Sequence, residues 1–274
     1  MTSATTSAVH HPVAPAQIKV AGMAGDLYGG PDGRAPLVLL AGLTYARGTW
    51  QPVLGHLGRI DPGRQVLVLD LPGHGDSPDQ LPHTLEHIVR LIHDAVGEAG
   101  LGTPVLAGHS QSGGFASIYA ARYPTSGVVN VDAPPNLGAF IQVLRAAAGQ
   151  NHGDLLGTWA TMERGFGIDL LPPEMRGLLA RNSRPTTDLL ASYWDELFTL
   201  TPDQAAALVE DGVAAVAAAE VPYLLILGTE LQPETAAWIR SAVPHAAIEV
   251  WAGSGHFPHL AHPARFAERL AATA

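Results

Sequence analysis

Short apolar runs alternate with amphipathic stretches along the first half of the chain. The runs are Leu37–Ala41, Gln65–Leu69, Pro104–Ala107 and Val128–Asp132. Runs of this length, bounded by glycine and proline, are typical of strands that are buried on both faces of a parallel sheet. The stretches between them have helical spacing. The pattern therefore predicts an α/β fold, in which a mostly parallel central sheet is flanked by helices.

The pattern changes at the beginning of the chain and again after residue 132. Short stretches at Gln17–Val20 and Asp26–Tyr28 predict an opening hairpin. From residue 133 to 219 there are only helical patches, and strands resume at Val221–Leu227 and Ala247–Trp251. We therefore expect three parts: a flexible N-terminal segment at 1–16, a core at 17–132 and 220–274, and an inserted helical cap at 133–219.

Composition narrows the class of protein. Of 274 residues, 47% are hydrophobic and 15% are charged, which favours a large core and argues against disorder. The formal net charge of −10 disfavours binding to nucleic acid or to an anionic membrane surface. The absence of cysteine excludes disulfides, a thiolate nucleophile and a cysteine zinc site. Without a secretory signal or a long apolar run, a cytoplasmic protein is expected.

The third apolar run leads into the sequence Gly-His-Ser-Gln-Ser at residues 108–112, which is followed by a helical stretch. This order predicts a strand, a sharp turn and a helix, with Ser110 at the apex. A nucleophile elbow of the pattern G-x-S-x-G has this geometry, and its strained turn requires small neighbours. The helix N-terminus behind the serine favours an anion forming nearby. Ser112 stands where the usual pattern has glycine.

A second chemical feature directly follows the last predicted strand. Residues 253–260 read Gly-Ser-Gly-His-Phe-Pro-His-Leu, so His256 is expected at the same carboxyl edge of the sheet as Ser110. A histidine there can act as general base on the serine and then as general acid toward the leaving group. The sequence therefore predicts a Ser-His catalytic pair.

These two motifs, together with a third, resemble those of α/β-hydrolase-fold serine hydrolases with a helical cap. The third motif is Asp-Leu-Pro-Gly-His-Gly-Asp-Ser at residues 70–77, which resembles a structural loop of that family. The resemblance covers nearly all of the chain beyond residue 16, with some departures from the family's pattern. It implies the α/β-hydrolase fold and a Ser-His-acid triad, and neither a cofactor nor a metal is expected.

The resemblance also implies an oxyanion hole made of two backbone N–H groups. One belongs to Gln111, the residue after the nucleophile, and the other to Leu43, in the loop after an early strand. Ala41 replaces the histidine that is customary in this loop. Substrate contacts are expected from this loop, from the cap and from the residue after His256, namely Gly42, Thr44, Tyr45, Trp159, Tyr193, Trp194 and Phe257.

The acid of the triad has two possible positions. The family's common place is a G-x-x-D pattern that begins at Gly228, but here Leu231 occupies the usual offset and Glu230 comes one residue early. The other place used in this fold is the end of the strand after the elbow helix, where Asp132 lies. We expect Asp132 to be the acid and keep Glu230 as the alternative. An aspartate before a turn is also ordinary turn chemistry.

These features predict a serine hydrolase that cleaves a carboxylic ester or lactone through an acyl-enzyme. The aromatic residues of the cap favour a small apolar or aromatic substrate, and a monomer or homodimer is expected. C–C bond hydrolysis, acyl transfer and a ligand receptor built on the same fold remain alternatives, because the fold does not separate them. Residues 83–87 also match the zinc motif H-x-x-E-H, but nothing else in the chain resembles a zinc peptidase.

Overall fold

The structure, a computed structural model, describes residues 14–133 and 137–273. Residues 1–13 of the segment predicted to be flexible therefore lie outside the described part. The described residues form one eight-stranded sheet. Its strands are β1 (Ala16–Val20), β2 (Met23–Tyr28), β3 (Leu37–Leu40), β4 (Val66–Leu69), β5 (Val105–His109), β6 (Gly127–Val131), β7 (Tyr223–Leu227) and β8 (Ala247–Val250).

The strand order is β1-β2-β4-β3-β5-β6-β7-β8. Strand β2 pairs antiparallel with both β1 and β4. The neighbours in the remaining order, β4-β3-β5-β6-β7-β8, all pair in parallel. All residues of β3, β4, β5 and β6 are buried, as their continuous apolar runs predict. The mostly parallel sheet confirms the predicted fold class.

The described residues also form eleven α-helices. They are α1 (Gln51–Ile60), α2 (Leu85–Glu98), α3 (Gln111–Arg122), α4 (Leu137–Gln150), α5 (Leu155–Glu163), α6 (Pro173–Asn182), α7 (Thr187–Thr199), α8 (Pro202–Ala218), α9 (Pro233–Ala242), α10 (Pro258–Ala261) and α11 (Pro263–Ala271). Helix α1 packs against α11, whereas α2, α3, α8 and α9 contact one another in succession. Right-handed crossovers place these two groups on opposite faces of the sheet.

Between β6 and β7, the residues from 137 to 222 that the structure describes contain helices and no strand. Helices α4, α5 and α7 pack against one another, and α8 also packs against the elbow helix α3. Hydrogen bonds tie this segment to the core loops. In two of them, the Tyr193 hydroxyl donates to the carbonyl of Pro72 at 2.9 Å and the Ala46 N–H donates to the carbonyl of Asn182 at 2.9 Å. Among the described residues, no helix is long and apolar enough to cross a bilayer.

Candidate active site

The turn between β5 and α3 places Ser110 at its apex, with φ 55° and ψ −129°. Such a conformation is strained for a residue with a side chain and persists only where the surroundings hold it. Gly108 allows the close approach, since a Cβ there would lie 2.0 Å from the Ser112 carbonyl oxygen. The Ser110 N–H donates to the carbonyl of Val131 at 2.8 Å, which ties the elbow to β6. The local sequence therefore forms the geometry of a nucleophile elbow.

Ser112, the departure from the glycine of the usual pattern, is fully buried in the first turn of α3. Its hydroxyl donates a hydrogen bond to the backbone carbonyl of Ala41, in the loop after β3. A buried hydroxyl needs such a partner, because leaving it unpaired in the interior is costly. The elbow helix and the loop after β3 are thus joined through this side chain.

His256 follows β8 and meets the carboxylate of Asp132, which follows β6. The distance from His256 Nδ1 to Asp132 Oδ2 is 2.6 Å, and the other carboxylate oxygen accepts the Gly228 N–H at 2.9 Å. Burial opposes ionisation of this carboxyl, but the hydrogen bond from His256 and its neighbouring charge outweigh burial and lower the pKa of Asp132. With its proton on Nδ1, the imidazole has Nε2 available as an acceptor.

Glu230, the alternative acid, lies elsewhere. It is exposed in the loop after β7 and, within the described residues, makes no hydrogen bond or ion pair with His256. The loop brings its backbone to the site instead, through the Gly228 N–H on Asp132. Of the two candidate acids, the structure brings only Asp132 to the histidine.

His109, the residue before the nucleophile, links the elbow to His256. Its Nε2 donates to the backbone carbonyl of His256 at 2.8 Å, and the two ring centroids are 4.8 Å apart. The residue that precedes Ser110 is therefore hydrogen-bonded to the backbone of His256. Within the described residues, the Ser110 hydroxyl makes no hydrogen bond to His256. Catalytic bonds of this kind are often long without substrate and tighten in the complex.

The loop after β3 packs directly against the elbow. A Cβ on Gly42 would lie 3.1 Å from Cβ of Ser110 and 2.9 Å from Nδ1 of His109, so glycine is needed for this approach. The next residue is Leu43, which is buried. Within the described residues, neither the Leu43 N–H nor the Gln111 N–H has a hydrogen-bond partner. Two free donors of this kind, beside a serine, match the requirement of an oxyanion hole.

His74, in the loop at residues 70–77, contacts the loop after β3 on the side away from Ser112. The Thr44 N–H donates to His74 Nε2 at 3.0 Å, and Nδ1 of that ring lies 3.0 Å from the carbonyl of Pro72. Burial lowers the pKa of His74 to about 4, so the ring stays neutral and accepts at Nε2. Thr44 has φ 71° and a buried side chain. Sequence reasoning assigned no contact between these two loops.

Tyr45, Trp159 and Phe257 form an aromatic cluster beside His109. The Tyr45 ring centroid lies 6.2 Å from that of Trp159, 5.7 Å from that of Phe257 and 6.4 Å from that of His109. The Tyr45 hydroxyl is 3.4 Å from Glu163 Oε1. The structure thus places three of the predicted substrate-contacting residues in one group near the elbow.

The two remaining aromatic candidates are buried residues of α7. Trp194 lies beside Trp159, with ring centroids 6.4 Å apart. Tyr193 packs on His83 at 4.2 Å, and its hydroxyl bonds the carbonyl of Pro72, so its polar end contacts the core loop at 70–77.

Phe166, which lies between α5 and α6, is a residue at the candidate site that sequence reasoning missed. Its ring stacks on the imidazole of His256, with centroids 4.4 Å apart, and its carbonyl accepts the His256 N–H at 2.8 Å. A Cβ on Gly255 would lie 2.5 Å from this carbonyl oxygen, so the glycine permits the contact. No local signal marks Phe166, because its partner lies 90 residues away. A residue of the segment between β6 and β7 thus contacts the candidate base directly.

The histidines of the zinc-like motif have other partners. His83 Nδ1 lies 2.7 Å from the Ser192 hydroxyl, its Nε2 lies 2.7 Å from Asp79, and His87 Nδ1 lies 3.0 Å from Arg90. Thr84 caps α2 by accepting the His87 N–H. Over the ranges 14–133 and 137–273, no group of histidine, aspartate and glutamate side chains is arranged to hold a metal ion.

His259 leads to a prediction about acid stability. The side chain is buried, with its ring 4.6 Å from those of Trp50 and His109, and burial lowers its pKa well below the ordinary value. Below pH ~6.5 the unfolded chain binds a proton there that the folded chain does not. The unfolding free energy therefore falls as pH falls, by up to ~1.4 kcal/mol per pH unit.

We expect the wild type to lose more unfolding free energy between pH 7 and pH 5 than the variant His259→Phe, by up to about 2 kcal/mol, because only the wild type carries this linkage. Urea unfolding at the two pH values measures the difference, and the pH-independent packing cost of the new ring cancels in the comparison. An equal loss in both proteins would contradict the assignment of His259 as a buried neutral base.

Fold and site geometry together describe a doubly wound sheet with an elbow serine, a histidine held by a carboxylate and two free backbone donors. A sequence model of the alpha/beta hydrolase family matches residues 37–269, and the chain belongs to this family. The resemblance read from the motifs is thereby confirmed, and the chain is a hydrolase-type enzyme.

The chain is also similar to individual known proteins. The chain is 31% identical over 254 residues to the pimeloyl-(acyl-carrier protein) methyl ester esterase of Xanthomonas campestris pv. campestris, covering 85% of this chain and 92% of that protein. It is 34% identical over 132 residues to a Mycobacterium phage D29 protein named "Putative non-heme haloperoxidase", covering 47% of this chain and 42% of that one. The structure of E-2-(acetamidomethylene)succinate hydrolase has the same fold, with a TM-score of 0.68, 19% identity and coverage of 94% and 98%.

Proposed function

We propose that this protein is a serine hydrolase that cleaves a carboxylic ester or lactone. The observation that carries the proposal is the 2.6 Å contact from His256 Nδ1 to Asp132. The backbone carbonyl of the same histidine accepts a hydrogen bond from His109, the residue before Ser110. A carboxylate on Nδ1 selects the tautomer that accepts a proton at Nε2 and stabilises the imidazolium that forms.

In the proposed reaction, Ser110 Oγ attacks the substrate carbonyl and gives its proton to His256 Nε2. The developing oxyanion is bound by the N–H groups of Gln111 and Leu43, which are free in the described structure. His256 then donates the proton to the leaving alcohol, which leaves an acyl group on Ser110. A water molecule, deprotonated by His256, attacks this acyl-enzyme and releases the acid.

The surroundings favour an apolar substrate of small or moderate size. The aromatic cluster of Tyr45, Trp159 and Phe257 lies beside the elbow, and Phe166 covers one face of the His256 ring. Apolar and aromatic walls with a few placed polar groups are typical of small-molecule sites. The esterase name of a relative that matches most of this chain supports ester cleavage over the alternatives.

An activity-directed label tests the proposal. A fluorophosphonate is expected to add one phosphonyl group to Ser110, because the reagent needs a serine that is activated by a base and an oxyanion site. Peptide mass mapping locates the adduct, and prior labelling is expected to abolish hydrolysis of p-nitrophenyl butyrate. Absence of labelling together with absence of turnover on ester and lactone panels would refute it. Tight ligand binding without turnover would instead favour a receptor.

A panel of acceptors separates the remaining alternatives. Hydrolysis gives the free acid as product, whereas acyl transfer gives a new ester when an alcohol acceptor is added. C–C bond hydrolysis would show as turnover of a vinylogous 1,5-diketone with no turnover of simple esters. We expect the free acid from esters or lactones, and the product ratio in mass spectrometry measures this.

A further inference from the structure

Two residues depart from the usual pattern near the nucleophile, and the structure joins them to each other. Ser112 stands where the elbow pattern has glycine, and Ala41 stands where the loop after β3 customarily has histidine. The hydroxyl of Ser112 donates to the backbone carbonyl of Ala41. We propose that Ser112 is a positioning residue, which holds the Leu43 N–H in place beside the nucleophile. This inference rests on the proposed function.

The placement of the bond explains why it bears on both donors of the oxyanion hole. Ser112 directly follows Gln111, so its side chain is anchored one residue from the first donor. Ala41 precedes Leu43 by two residues, and Gly42 between them packs against Ser110 with no room for a Cβ. The hydrogen bond from Ser112 to Ala41 therefore adds a side-chain link between the two segments that carry the first and the second donor.

Three other hydrogen bonds hold the far side of this loop, and within the loop the Tyr45 N–H donates to the Gly42 carbonyl at 3.0 Å. The Thr44 N–H bonds His74, the Thr44 carbonyl accepts the Arg184 N–H at 2.9 Å, and the Ala46 N–H bonds the Asn182 carbonyl. All three act after Leu43 in the chain, whereas the Ser112 bond acts before it, just beyond the end of β3. Leu43 is thus held between two sets of restraints, and Ser112 supplies a side-chain restraint on the strand side.

Burial makes this restraint effective. Ser112 is 0% exposed and Ala41 is 4% exposed, so water does not readily replace the bond. Removal of the hydroxyl leaves the Ala41 carbonyl without this partner in the interior, and a buried polar group without a partner favours a shift of its segment. A shift of Ala41 moves the Leu43 N–H, because only Gly42 separates the two residues.

The test compares Ser112→Ala and Ser112→Gly with the wild type. We expect kcat for p-nitrophenyl butyrate to fall by about 10- to 100-fold, less than the ~10²- to 10³-fold loss from deleting an oxyanion donor, since the donor is displaced and not removed. KM is expected to change by less than about threefold, because the hole acts mainly in the transition state. Affinity for an alkyl trifluoromethyl ketone, whose adduct carries the oxyanion, is expected to fall in parallel with kcat.

Ser117→Ala is the matched control. It makes the same chemical change on the same helix, but the Ser117 hydroxyl donates to the Gly113 carbonyl at 2.7 Å and pairs with the Tyr223 hydroxyl. We expect this variant to keep the kcat and the inhibitor affinity of the wild type. Because Ser112→Gly introduces the residue usual at this position, it provides a folded variant even where the alanine variant fails to fold.

A second readout does not depend on activity. Backbone hydrogen exchange of the peptide that covers residues 41–46 is expected to speed up in both Ser112 variants and to stay unchanged in Ser117→Ala, since the loop loses a restraint. Unchanged exchange together with unchanged kcat and inhibitor affinity in a folded Ser112 variant would overturn the positioning role. Faster exchange in a protein that is neither labelled nor active would support the role of Ser112 in holding the loop while refuting the proposed hydrolase.

Discussion

Replacement of Ser110 by alanine is expected to lower kcat for a short-chain ester by about 10⁴- to 10⁶-fold. The serine oxygen is the atom that bonds to the substrate in the proposed reaction, and loss of a nucleophile removes the acyl-enzyme route altogether. The residual rate comes from binding and from the oxyanion donors acting on water. Steady-state kinetics with p-nitrophenyl butyrate measure the loss.

The variant is expected to fold normally, since alanine keeps the Cβ and the backbone contacts of the elbow. The strained conformation at φ 55° depends on the N–H bond to Val131 and on Gly108, and neither involves the hydroxyl. Far-UV circular dichroism and the urea midpoint check this. The variant Ser117→Ala, on the same helix, should retain full activity. Activity of Ser110→Ala within tenfold of the wild type would exclude Ser110 as the nucleophile.

Asp132→Asn is expected to lower kcat by about 10⁴-fold while preserving the fold. Asparagine has the same shape and tolerates the positive φ of 57° at this position, and its carbonyl oxygen still accepts the Gly228 N–H. Its amide nitrogen would face His256 Nδ1, so the ring is favoured with its proton on Nε2. In that tautomer Nε2 is a donor and does not accept the serine proton.

Glu230→Gln is the companion experiment, since both variants neutralise one carboxylate and keep its size. Glu230 is exposed and makes no contact with His256 within the described residues, so we expect kcat within about twofold of the wild type. Kinetics of the two purified variants on one substrate give the comparison. A larger loss in Glu230→Gln, or equal mild losses in both, would place the acid somewhere other than Asp132.

The order of the apolar runs was sufficient for most of the fold. The predicted strands at 37–41 and 65–69 agree with β3 and β4 to within one residue. These elements are readable because their burial on both faces leaves a continuous apolar signal. The one-turn helix α10 was not predicted, since four residues are too few for any periodicity.

The candidate site was predictable in part. The elbow and the histidine loop each have a local signal: small residues at a strained turn, and a histidine directly after the last strand. The candidate acid has no such local signal, because Asp132 and Glu230 are both carboxylates that follow a strand. The choice between them depends on the distance from each carboxylate to His256 across neighbouring strands. Only the packed sheet, which brings Asp132 to 2.6 Å from His256, separates them.

The roles of Ser112, His74 and Phe166 also depend on contacts between segments distant in the chain. Ser112 is hydrogen-bonded to Ala41, 71 residues away in the chain, and His74 is hydrogen-bonded to Thr44, 30 residues away. The ring of Phe166 stacks on that of His256. Local patterns in the chain specify strands, turns and the residue types of the chemistry, because those depend on neighbours in sequence. Folding decides which carboxylate reaches the histidine and which side chains hold the loop after β3, because such contacts exist only after the sheet and the helices have packed.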